Sequence, residues 1–324
     1  MSGKTTIEWT EQTWNPIVGC SIISPGCTNC YAMKMAARIE AMNAAVIDYS
    51  RVAGQYAGTT RKVNGNAVWT GKLAQAPESV LLAPLKRKKP TIYFVNSMGD
   101  LFHQDCPDDW IDKVFAVMAL CPQHTFQVLT KRAGRMRDYF GKPTAIPNFT
   151  SSAQYRIACG VAMRGGASDD MPWPLPNVWL GVSTERQQEA DERIPLLLQT
   201  PAAVRFISAE PLLGPVHLTK WLHDSDCDIL EHGVAGVCTC SEPREVSLDW
   251  VIVGGESGPG ARPMDPAWAL SIRDQCMAAE VPFFFKQWGA FVPEVRGRYR
   301  RVSKKEATRL LDGVEHNGFP QVSA

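Results

Sequence analysis

The feature that most constrains this chain is a rhythm: short apolar runs ending in small or polar residues recur, and amphipathic stretches follow most of them. Such alternation is the signature of βα units. The first run covers 14–19, leading into a cysteine-bearing loop and a helix expected over about 31–45, where Ala and Met favour helix. Next comes 91–97 (TIYFVNS), with a helix expected over 108–120. Runs at 125–130 (TFQVLT), 178–183 (VWLGVS), 204–209 (VRFISA), 250–254 (WVIVG) and 282–287 (PFFFKQ) continue the series, with helices expected over 185–199 and 266–279. These runs are apolar on both faces, as suits parallel strands covered by helices.

Six or seven such units in order predict an α/β fold whose parallel strands curl into a partial or complete (β/α) barrel, with ligands at the carboxyl ends of the strands. An open doubly wound sheet is the alternative. Three segments break the rhythm, about 48–89, 141–176 and 217–248, and are Gly-, Pro- or Cys-rich. They read as loop insertions over the active face of one barrel-like domain spanning 1–324.

A formal net charge of +1 supplies no global attraction to nucleic acid or anionic membrane. The opening MSGKTTIEWTEQ lacks the apolar core of a secretory signal, and no run approaches the roughly 18 apolar residues that span a bilayer. The expectation is a cytoplasmic protein with no membrane partner. In that reducing setting ten cysteines are not explained by disulfides. Cys106, Cys121, Cys159 and Cys276 stand singly, whereas Cys20, Cys27 and Cys30 form a tight set and Cys227, Cys238 and Cys240 a looser one. Only the two sets have ligand-like spacing.

The segment GCSIISPGCTNCYAM places three thiols as C-x6-C-x2-C between an expected strand and an expected helix. A [4Fe-4S] cluster needs one ligand per iron, so three cysteines leave one iron open. Structural zinc sites usually close with four protein ligands. A zinc knuckle completed by a distant ligand is the competing reading.

This loop, with the aromatic Tyr31 after its last cysteine, resembles the cluster loop of the radical S-adenosylmethionine (SAM) superfamily, although the first gap is six residues where three are usual. IEWTEQTWNP at the start, GGESGPGARPM late and FFFKQWG near the end resemble an uncharacterised, phage-associated three-cysteine family of radical SAM type. The resemblance implies a radical SAM barrel in which Cys20, Cys27 and Cys30 hold the cluster and an electron donor reduces it. SAM is then cleaved to a 5′-deoxyadenosyl radical that modifies a substrate, with a nucleobase or nucleic acid the first class to consider.

Further residues follow from that resemblance. Ser97, Gly99 and Asp100 end the second strand where the superfamily has a glycine-rich turn with an acid for the SAM amino group. Ser183, Thr184 and Glu185 end the fourth, where polar groups meet the SAM ribose or carboxylate; a helix cap is the plainer reading. Glu210 and Glu256 end the fifth and sixth strands, at the face where a barrel's site lies. Lys131 and Arg132 could pair with the SAM carboxylate or a phosphate, and Lys286 could reach substrate, although exposed basic residues are common. His223, Cys227, His232, Cys238 and Cys240 would suit a zinc clip or a second cluster, with free thiols the third reading. The basic run Lys86–Lys89 could meet a phosphate backbone, or be a solvated surface. The alternative to an enzyme is a non-catalytic zinc- or iron-sulfur-binding protein serving interaction or redox sensing.

Overall fold

A computed structural model of the chain describes residues 2–44, 54–141, 174–222, 246–294, 297–303 and 306–321. The chain divides into two compact units, Met1–Leu180 with Thr200–Ala203, and Gly181–Gln199 with Val204–Ala324.

In the first unit, β1 (Ser2–Lys4) and β2 (Gln12–Trp14) pair antiparallel. The next strand of the chain, β3 (Ile17–Val18), is separated from β2 by Asn15–Pro16, so the run read as one strand is two. Proline has no N–H for a ladder and restrains the residue before it, which is why the pairing changes partner there. Helix α1 (Tyr31–Ala44) follows the cysteine loop. The described part of the first insertion is ordered: β4 (Thr60–Val63) and β5 (Asn66–Trp69) form a hairpin, β6 (Ala74–Gln75) pairs with β3, and a short α2 (Glu78–Leu81) follows. Asn64–Gly65, both at positive φ, make its two-residue turn.

Strands β7 (Ile92–Val95) and β8 (Thr125–Thr130) continue the sheet in parallel from β2. Between them, α3 (Asp108–Ala119) places Asp108 and Asp109 in its first turn and buries Ile111, Val114, Phe115 and Met118. That spacing is one helical face, and the acids complement the helix dipole. Helix α4 (Ala133–Phe140) follows β8. Trp14, Tyr93 and Phe126 interlock beneath it all, with ring centroids 5.5 Å apart for the Trp14–Phe126 and Tyr93–Phe126 pairs.

Strand β9 (Val178–Ser183) gives its first three residues to the first unit and its last three to the second. Within the second unit the order is β9, β10 (Val204–Ala209), β11 (Trp250–Gly254), β12 (Phe283–Gln287), with β10, β11 and β12 parallel. β9 and β11 are buried along their whole length, as strands covered on both faces should be. Helices α5 (Gln187–Leu198), α6 (Thr219–Leu222) and α7 (Pro266–Ala278) lie between strands in sequence. α7 starts where the pattern predicts: Pro266 occupies its first turn and the Asp265 side chain accepts from the Ala267 amide at 2.9 Å. Two hairpins complete the unit, β13 (Phe291–Glu294) with β14 (Arg298–Arg301) and β15 (Leu310–Leu311) with β16 (Val314–Glu315). The fold is therefore α/β, with sequential parallel strands and intervening helices, an element order compatible with a partial (β/α) barrel. No helix among the described residues is long and apolar enough to cross a membrane.

The ends of β3 and β7 approach closely, since Gly19 and Gly99 form a parallel bridge and the Gly19 amide donates to the Met98 carbonyl at 3.2 Å. Gly19 has φ of +95°, and a Cβ there would collide with the Lys72 carbonyl oxygen. Gly19→Ala should cost at least the about 1–3 kcal/mol of a strained backbone, read as a lower urea midpoint with an unchanged m-value.

Candidate functional site

The three cysteines sit on one short stretch held by backbone hydrogen bonds and packing. A single 3-10 turn, Pro25–Cys27, brings Cys27 inward, its amide donating to the Ser24 carbonyl at 2.9 Å, and the Cys30 amide donates to the Cys27 carbonyl at 3.3 Å. Cys20 and Cys30 pack against an apolar cluster of Val18, Ala32, Met33, Ala36, Tyr56, Trp69 and Met98. The hairpin β4–β5 contributes Trp69 to this wall, so part of the first insertion builds the loop's support. Cys27 is near enough to Cys20 and to Cys30 for each pair to interact electrostatically.

Burial pushes the Cys20 thiol up to about 12, with Asp100 adding to the rise and Arg132 opposing it. Burial also raises Cys30, while the Met33 and Ala32 amides that hydrogen-bond its sulfur pull it back. Both thiols stay protonated at neutral pH unless a metal displaces the proton. Cys106 and Cys121 are likewise raised to about 12 by burial and are core residues.

Beside Cys20 lies a fully committed guanidinium. Arg132 donates from Nη1 to Asp100 Oδ2 at 2.7 Å and to Cys20 Sγ at 3.5 Å, from Nη2 to Ser21 Oγ at 2.7 Å and the Ser21 carbonyl at 3.2 Å, and from Nε to Gln104 Oε1 at 3.1 Å. A guanidinium has five N–H donors, and these contacts use all five. Asp100 is equally engaged: Oδ1 accepts from the Phe102 amide at 3.0 Å and Thr130 Oγ1 at 2.7 Å, and Oδ2 accepts from Arg132 and from the Lys131 amide at 3.3 Å. A carboxylate offers about four acceptor positions, so none is left for an incoming ammonium. The contact expected of Asp100 with the SAM amino group, and of Arg132 with a carboxylate or phosphate, therefore has no free group to make it in this arrangement.

Ser97 and Gly99 are also spent within the chain. Ser97 Oγ donates to Asn15 Oδ1 at 3.1 Å and its carbonyl accepts from Tyr31 Oη at 2.9 Å. A Cβ on Gly99 would stand 3.0 Å from the Ile17 carbonyl oxygen, so the close approach this glycine permits is to the chain's own backbone.

His103, fully buried, was not singled out from sequence. Its Nδ1 accepts from the Asp105 amide at 3.2 Å, which leaves its proton on Nε2, 2.8 Å from Ser21 Oγ. Burial, reinforced by Arg132, lowers its pKa, so it is neutral at physiological pH. Ser21 thus accepts from both His103 and Arg132, and its own hydroxyl proton must point elsewhere. A Ser-His hydrolytic relay would need Nε2 as the acceptor, so the pair is the wrong way round for one.

In the second unit, each expected carboxylate holds a cation. Glu185 pairs with Arg193 at 2.9 Å, both buried, and Arg193 also donates to the Ser183 carbonyl at 2.8 Å. Glu210 pairs with Lys286 at 3.0 Å and accepts from Ser208 Oγ at 3.1 Å. Glu256 receives Arg262 through Nη2 at 2.6 Å and through Nε and the backbone amide at 2.8 Å each. Thr184 differs: it is fully buried and its hydroxyl has no hydrogen-bond partner among the described residues. His223, Cys227, His232, Cys238, Cys240 and Cys159 lie outside the described residues.

Among the described residues, no three His, Cys, Asp or Glu side chains gather as they would around one metal ion. Thiolates sharing one zinc at Zn–S of about 2.3 Å stand about 4 Å apart. A cubane assigns each thiolate its own iron, so its ligands are spread wider. The donor chemistry of the loop, three thiols with N–H groups directed at two of them, fits thiolate ligation of a cluster.

These features define an α/β protein built around a three-cysteine loop. The chain belongs to the family described as protein of unknown function (DUF5131), which matches residues 4–320. Comparison with curated proteins and with solved structures finds no match for either.

The Asp100–Arg132 pair should matter to the metal-free protein. Removing one partner of a buried ion pair costs about 3–5 kcal/mol; Asp100→Ala, with both side chains at most 7% exposed in the native protein, should show that loss in urea unfolding, while Asp105→Ala, at an exposed carboxylate, leaves the midpoint within error.

Proposed function

We propose that this protein is a radical SAM enzyme of partial-barrel type, in which Cys20, Cys27 and Cys30 hold a [4Fe-4S] cluster. The single observation that carries this reading is the packed loop between β3 and α1: three thiols, two of them met by N–H donors, following the first strands of a parallel α/β series. Held by Cys20, Cys27 and Cys30, a reduced cluster would supply the one electron needed to cleave the C5′–S bond of SAM, giving methionine and a 5′-deoxyadenosyl radical able to take a hydrogen atom from substrate. The chain's own work is to hold and shield. Arg132 and the amides of Ala32 and Met33 offset the charge on the thiolates, and Trp69 and Met98 exclude water behind them.

Asp100 acts in this scheme by fixing Arg132. Within the second unit, Thr184 is the residue of its trio with a hydroxyl to offer a ligand, because among the described residues that hydroxyl has no partner while Glu185 is neutralised by Arg193. In the same unit, Glu210 and Glu256 hold Lys286 and Arg262 in place. A nucleobase or nucleic acid remains the first substrate class to test, on the family resemblance and the exposed Lys86, Lys88 and Lys89.

Anaerobic reconstitution followed by reduction with SAM tests the reading. Brown protein with equal iron and sulfide, and 5′-deoxyadenosine formation that falls to background in Cys27→Ala, is the expected result. Colourless protein that takes up zinc at these cysteines, or equal yields from Cys27→Ala, would overturn it.

A further inference from the structure

The guanidinium of Arg132 has no donor to spare for a ligand, yet one of its five hydrogen bonds ends on a sulfur. Asp100 and Gln104 hold its two flanks, and Ser21, next to Cys20 in the chain, takes the far arm. The side chain is 7% exposed and cannot swing away without abandoning a buried carboxylate. Its contact with Cys20 Sγ at 3.5 Å is therefore set by partners on three other residues. Ser21 is itself pinned by the His103 Nε2–H, so the arrangement has a second anchor.

We propose that Arg132 is a positioning residue that donates a charge-assisted hydrogen bond to the Cys20 thiolate and so sets the reduction potential and the retention of the cluster. This rests on the cluster reading above. Reduction adds one electron to a cluster already rich in negative thiolate charge. A cation and N–H donor fixed at a ligand sulfur favours the reduced state and raises the potential. Asp100, being anionic, partly offsets that charge, but it also fixes the fork's direction. The same interaction slows loss of the ligand, because a thiolate that is hydrogen-bonded and charge-compensated is a poorer competitor for a proton. Cys30 receives backbone amides instead, while Arg132 is the ionised donor at Cys20.

The test uses reconstituted full-length protein, wild type against Arg132→Gln and Arg132→Lys, with thermal unfolding of each apo form as the folding control. Arg132→Lys keeps a charge opposite Asp100 and is the variant that carries the result if Arg132→Gln does not fold. A redox titration followed by electron paramagnetic resonance reads the midpoint potential, and an iron chelator reads retention. The expected outcome is a midpoint moved to more negative values in both variants, more so in Arg132→Gln, with iron held roughly 10- to 100-fold less tightly, the usual effect of losing a partner of a metal ligand. Unchanged midpoint and retention in a folded Arg132→Lys or Arg132→Gln protein, with wild type still cleaving SAM, would refute this proposal alone. A wild-type protein that binds no cluster at all refutes it together with the function on which it rests.

Discussion

The Asp100–Arg132 ion pair fixes the flank of the cysteine loop in the first unit. It joins the segment after β7 to the segment after β8, residues 32 apart in the chain, and both side chains are almost wholly removed from water. Burying two charges is rarely a net gain in stability: desolvation roughly cancels their attraction, and only complete hydrogen bonding makes the balance tolerable. Here the bonding is complete on both sides. What the pair supplies is direction, since a planar fork with five fixed donors can be satisfied in one pose, and that pose places Ser21 and Cys20.

Several other strand-end groups work to the same purpose. Asn15, between β2 and β3, accepts from the Met98 amide at 2.9 Å and from Ser97, and Gly19 and Gly99 bridge directly. Trp69, on the hairpin, packs behind the loop. Residues at carboxyl ends of parallel strands are where ligands are expected, but in this unit most of their hydrogen-bonding capacity is used to immobilise the thiols. A loop carrying three ligands must be stiff before it meets a metal, because each degree of freedom frozen on binding subtracts from affinity.

The fold was legible because it rests on local pattern. β8, β9, β10 and β11 have the limits their apolar runs set, and the four helices expected from the sequence begin and end within two residues of expectation, while α2, α4 and α6, each of eight residues or fewer, were not expected. Asn15–Pro16, the Asn64–Gly65 turn and Asp312–Gly313, at φ of 54° and 77°, were equally visible, yet each modifies or interrupts a run too short to stand out by periodicity. The site was legible only as a set of residues. Ser97, Gly99, Asp100 and Arg132 lie in the segments that follow β7 and β8, but which donor satisfies which acceptor depends on distances across 30 or more residues, such as Thr130 to Asp100, 30 apart, and Arg132 to Cys20, 112 apart. His103 carried no signal of its own; it lies three residues past Asp100 in an unremarkable turn, and its importance comes from Ser21, 82 residues away.

The six-residue gap between Cys20 and Cys27 then has a physical reason. Three residues would carry the chain straight from one ligand to the next. The longer segment first turns Ser21 onto Arg132 and His103, then runs outward through Ile22 and Ile23, about half exposed, and returns through Ser24 and the Pro25–Cys27 turn. Pro25 suits the first position of that turn because its φ is already set and its missing N–H is not needed there. The extra residues thus create a place for a serine whose two lone pairs are filled from inside the protein. In this loop the spacing is therefore set by the support of the ligands as much as by the ligands themselves.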